Sequence, residues 1–92
     1  MSHRQWAEIT DRERLDHSPT VILLLVQDLT EGGWFVRGHD RTGRETIETW
    51  HGSAVAAREW AATEYGSDRI GGWLDIPDDT ADAIRYALRR RR

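Results

Sequence analysis

Thr20-Val21-Ile22-Leu23-Leu24-Leu25-Val26-Gln27-Asp28-Leu29 is the stretch on which the reading of this chain turns. The apolar run from Val21 to Val26 is too short to span a bilayer, and its β-branched residues favour a strand. Alternate side chains of a strand leave opposite faces, so Val21, Leu23 and Leu25 point one way and Ile22, Leu24 and Val26 the other. Both faces therefore need cover. The helices that follow account for one of them.

Working outward, Thr30-Glu31-Gly32-Gly33 reads as a turn, because paired glycines supply the positive φ of a tight reversal. Trp34 to His39 reads as a second strand. Asp40-Arg41-Thr42-Gly43 is a second turn, and Glu45 to Trp50 alternates well enough for a third strand, polar enough for an edge. Ser53 is a suitable N-cap for a helix over 54–65, and Gly66 suits its left-handed end. Ala54, Ala57, Ala61 and Tyr65 fall on one stripe of that helix, with Trp60 on its flank. Ile70 to Ile76 reads as a fourth strand weakened by Gly71-Gly72. Pro77-Asp78-Asp79 opens the last helix, whose buried stripe is Ala81, Ile84 and Leu88 with Ala87 beside it.

Upstream, residues 1–19 carry dense charge (Glu8, Asp11, Arg12, Glu13, Arg14, Asp16), with Trp6, Ile9 and Glu13 on one side of a weak helical pattern. They are expected to form an N-terminal arm, or a short helix that lays Trp6 and Ile9 over the sheet, before Ser18-Pro19 breaks the pattern. The expected architecture is α+β, β-β-β-α-β-α, with residues 20–92 as a single domain. Its sheet is antiparallel-rich and four-stranded, with two helices mainly on one face and the N-terminal arm.

At 92 residues there is room for one domain with a core. The absence of cysteine leaves no disulfide framework and no thiolate metal site. The first residues lack the apolar region of a signal peptide, and no apolar run is of membrane-spanning length, so a cytoplasmic location is expected. All 13 basic residues are arginine, and four stand together at Arg89 to Arg92. The remaining nine arginines face 16 acids, a body charge of −7. That balance disfavours a nucleic-acid-binding face, which needs clustered positive charge on the fold. The arginine tetrad reads as a solvated helix end; a phosphate or acidic-partner contact is the sharper alternative.

Catalytic signals are thin. His3, His17, His39 and His51 include no pair at helical i, i+4 spacing. Gly38-His39-Asp40 has the residue types of a metal pair, but Asp40 is already needed by its turn. Ser53 is explained as a cap, and the glycine pairs lack the strand-to-helix setting of a phosphate loop. Glu64 falls on the apolar side of its helix, one residue from the end, where it can leave for solvent; a buried acid there would be a functional candidate. No cofactor and no metal site is expected, and the chain reads as a non-enzyme.

The aromatic residues carry the strongest signal, since five tryptophans are hard to bury in so short a chain. With Trp34, Val36 and Ile47 facing the helices, Phe35, Arg37, His39, Glu48 and Trp50 face away. With Leu74 and Ile76 facing in, Trp73 and Asp75 join them. An apolar and aromatic face edged by charge marks an interface, with Trp and Arg as its usual anchors; the alternative is that the N-terminal arm covers it. The expectation is a protein-interaction module acting as a homodimer or on a protein partner, in the manner of small immunity proteins, inhibitors and adaptors. The alternative is a small-molecule binder or small enzyme with a pocket between sheet and arm, built on His39, Arg37 and Asp75. A one-residue slip in the 34–50 hairpin would exchange the two faces.

Overall fold

The computed structural model describes residues 3–10 and 19–91. The chain is α+β, with an antiparallel sheet and two helices. Five strands, β1 (Arg4–Glu8), β2 (Ile22–Gln27), β3 (Trp34–His39), β4 (Glu45–His51) and β5 (Leu74–Asp75), lie in the order β4-β3-β2-β1-β5. The helices are α1 (Ala54–Tyr65) and α2 (Ala83–Arg90). Among the described residues no helix is long and apolar enough to cross a membrane.

The extra strand is β1. Arg4 to Glu8 pairs with β2 along its whole length, Arg4 opposite Val26 and Glu8 opposite Ile22, and its other edge receives β5. Trp6 and Ala7 are both buried, on opposite sides of the sheet. Arg4 to Glu8 therefore form an interior strand, where an arm or a helix over the face is expected. A five-residue strand leaves too few alternations to separate it from a helical pattern, and a neighbour on each edge supplies the stability that propensity does not. The expected side built with Glu13, the acids and arginines of 11–18, and Arg92 of the terminal tetrad lie outside the described residues.

Both faces of β2 are covered, one by each helix. Leu23 and Leu25 pack with Ile9, Val36, Ala57, Ala61 and Tyr65 under α1, while Ile22 and Leu24 pack with Trp6, Ile76 and Ala87 under α2. The expected placement of both helices mainly on one face is corrected accordingly. The cause is topological: after α1 the chain returns along the far side of β1 as β5, then turns onto the opposite face. Ala57 and Ala61 are fully buried and let α1 approach the sheet closely. Ser53 caps α1 by accepting the Ala56 N–H at 3.1 Å, and Gly66 ends it at φ +92°. Glu64 is exposed.

Two further differences have local causes. The expected fourth strand survives only as the bridge Ile9–Ile70 and the two residues of β5, because Gly71-Gly72 interrupts the ladder between them. α2 starts at Asp82, which accepts the Arg85 N–H at 3.1 Å, so Ala81 lies before the helix. The intervening turn is held by Arg4, whose guanidinium donates to the carbonyls of Pro77, Asp78 and Thr80. Thus β1 fixes the approach of α2 as well as the centre of the sheet.

Candidate interaction surface

With eight residues α2 is only about 12 Å long, and it lies against β2 and the 40–43 turn. It does not extend over the β3–β4 half of its own sheet face. The register brings Phe35, Arg37, Glu48 and Trp50 together there: Phe35 stands opposite Trp50 and Arg37 opposite Glu48. On β2 their neighbours are Val26 and Leu24, which belong to the side that α2 covers.

Each of the four is held in place. Arg37 Nε donates to Glu48 Oε2 at 2.8 Å, with Glu45 3.9 Å away, and the guanidinium lies 5.1 Å from the centroid of the Phe35 ring. Trp50 is 53% exposed, yet its indole Nε1 donates to the Gly32 carbonyl at 3.2 Å. The indole lies so close over Gly33 that a Cβ there would fall against the ring. A large aromatic surface is thus presented in one orientation, with little side-chain entropy left to lose on contact. Leu29, 72% exposed, is in the β2–β3 turn that also supplies Gly32 and Gly33.

The other expected residues go elsewhere. His39 is on the same sheet face but is buried, and its Nδ1 donates to the Gly43 carbonyl at 3.1 Å. A carbonyl can only accept, so the bond fixes the proton on Nδ1, while Nε2 is buried without a partner among the described residues. Asp40 Oδ1 accepts from Thr42 N, Thr42 Oγ1 and Arg44 N. The Thr42 hydroxyl above all holds the Asp40 carboxyl below its usual range; desolvation opposes it, and the Arg44 and Thr42 backbone N–H groups and the Arg44 charge add to the lowering. The His39–Asp40 pair is therefore spent on the turn.

Trp73 and Asp75 are on the α1 side of the sheet, which corrects the expectation that they share a face with Trp50. Trp73 packs against the α1-side core. Asp75 stands opposite Gln5 and accepts its side-chain amide at 2.8 Å, and Gln5 in turn accepts from Arg58 of α1. In β5 it is Leu74, 54% exposed, that points to the α2 side. The expected inward Leu74 and outward Trp73 fail for one reason: both faces of this sheet are inward, so hydrophobicity does not set the phase. His39, Arg37 and Asp75, named for a pocket, do not converge. An open groove of about 720 Å³ does exist beside α2, at the other end of the sheet, where Trp6, Leu74 and Tyr86 meet Glu8 and Arg90. The Arg90 guanidinium lies over the Tyr86 ring, 3.6 Å from its centroid.

Sequence reasoning missed the contribution of Gly32 and Gly33 to this surface. The pair signals a turn, and nothing local shows that an indole will lie across it. No protein-family model, characterised protein or solved structure matches the chain.

Proposed function

We propose that this chain is a protein-interaction module whose contact surface is the β3–β4 half of the α2-side face. The observation that carries this reading is Trp50, half exposed and locked against Gly33, with the Arg37–Glu48 pair beside it. An exposed indole with a fixed orientation contributes apolar contact area at low entropic cost, and the adjoining ion pair supplies orientation at the margin. The partner is a protein, and the role is that of an inhibitor, immunity protein or adaptor rather than a catalyst.

The test is affinity capture from host lysate on the immobilised chain, compared with Trp50→Ser and Leu74→Arg variants whose folds are checked by circular dichroism. A protein retained by the unmodified chain and reduced at least tenfold by Trp50→Ser is the expected result, the size of an interface anchor. Binder profiles that Trp50→Ser leaves unchanged would overturn the reading. Loss with Leu74→Arg alone would move the function to the groove beside α2, whose volume is within the usual range of ligand sites. That reading ranks second because the groove is open and the cation in its lining, Arg90, already covers an aromatic wall.

A further inference from the structure

The two edges of the sheet differ sharply. β5 offers two residues, a blunt edge that protects itself by being short. β4 offers seven, Glu45-Thr46-Ile47-Glu48-Thr49-Trp50-His51, with no proline or glycine among them. Its outer backbone groups can be assigned. Asp28 N–H donates to the Gly33 carbonyl, and Ile9 N–H to the Val21 carbonyl, which sets the alternation of the β2 ladders. Carried across the β2–β3 and β3–β4 registers, Ile47, Thr49 and His51 direct their N–H and C=O groups to β3, and Glu48 and Trp50 direct theirs outward. The Trp50 ring does not block this edge, because it leans back over Gly33.

We propose that β4 pairs antiparallel with β4 of a second copy, Thr49 opposite Thr49, joining two sheets into one. Three features make this edge complementary to itself in this register. The irregularity between Gly38 and His39 disturbs the ladder at the Glu45 end, so the regular part of β4 runs from Ile47 to His51 and Thr49 is its midpoint. Pairing about Thr49 sets Glu48 opposite Trp50 and Ile47 opposite His51, so no like charges meet. Pairing about Glu48 would set two carboxylates face to face, which destabilises a ladder. Outward groups meet outward groups in the favoured register, giving about four intermolecular backbone hydrogen bonds.

This deepens the interaction reading by naming one partner. Opposed residues of an antiparallel pair share a face, so the Phe35–Trp50 surfaces of the two copies would adjoin on one side of the joined sheet. A contact built on one short ladder is small, and the dimer is accordingly weak and concentration-dependent.

The chain has no cysteine, which makes cross-linking unambiguous. Single Thr49→Cys, Glu48→Cys and Val55→Cys variants are incubated in a glutathione redox buffer at high protein concentration, with Val55 as the exposed control on α1. A directly opposed, non-hydrogen-bonded pair has Cα atoms about 4.5 Å apart, within disulfide reach. The expected result is disulfide dimer at Thr49→Cys at least tenfold faster than at Glu48→Cys or Val55→Cys. Equal rates at the three positions, or a maximum at Glu48→Cys, would overturn the proposal. Sedimentation of the unmodified chain and of Glu48→Pro, which removes an outward N–H without touching the β3 bonds, gives an independent reading. Self-association lost in Glu48→Pro supports the pairing; a strict monomer at millimolar concentration overturns it. If cross-linking fails while Trp50→Ser still loses its captured protein, the edge pairing falls and the interaction surface stands. If Thr49→Cys cross-links and Trp50→Ser changes nothing, the reverse holds.

Discussion

Gly32 and Gly33 have nearly the same backbone, φ +81° and +82°, and different reasons for being glycine. At Gly32 a Cβ would meet open space, so Gly32→Ala should cost only the left-handed penalty, about 1–2 kcal/mol. At Gly33 a Cβ would strike the Trp50 ring and the His51 carbonyl, which adds overpacking of about 1–3 kcal/mol. Urea unfolding of the two variants is expected to show Gly33→Ala as clearly the less stable. Equal destabilisation would mean that Trp50 does not rest on this backbone. The comparison bears on function, because the same contact fixes the indole that the proposed surface presents.

At the scale of elements, the two helices solve the same problem with different means. α1 is twelve residues long and meets the sheet through Ala57 and Ala61, both without exposed surface. α2 is shorter, buries Ala87 fully, and leans on the 40–43 turn through Ile84 and Leu88. Small residues at a close helix–sheet contact leave no room for growth. Ala61→Leu is therefore expected to lower stability by about 1–3 kcal/mol in chemical denaturation. A neutral result would place Ala61 away from the sheet. The shortness of α2 is also what leaves the Phe35–Trp50 half of its face open, so a packing property of one helix defines where the candidate surface can be.

For the whole molecule, the central fact is that β2 is third of five strands and is buried on both faces. Opening it requires breaking both ladders and both helix contacts at once. Amides of Ile22 to Val26 should therefore exchange with solvent among the slowest in the chain, on the scale of global unfolding, while those of β4 and β5 exchange through smaller openings. Rapid exchange of Leu23 to Leu25 would remove β2 from that central position. Protection of the outward amides of Glu48 and Trp50 that rises with protein concentration would accompany the edge pairing.

Much of this was legible in the residues themselves. The apolar run of β2 announced a strand with two faces to cover, the Gly32-Gly33 and Asp40–Gly43 turns delimited the meander, and Ser53 and Gly66 bracketed α1, because each of these signals is local. The fifth strand was not legible: Arg4 to Glu8 is a strand because β2 and β5 flank it, and no pattern within five residues states that. Nor was the sidedness of α2, which follows from β5 crossing to the far side of β1. Side-chain phase in β3 and β4 could be read, since Phe35, Arg37, Glu48 and Trp50 do share a face. In β5 it could not, because a sheet with helices on both sides gives no polar face to set the alternation. The sequence by itself determined which segments are strands and helices in the meander and α1; tertiary structure decided which face each helix covers, and so which tryptophan is left at the surface.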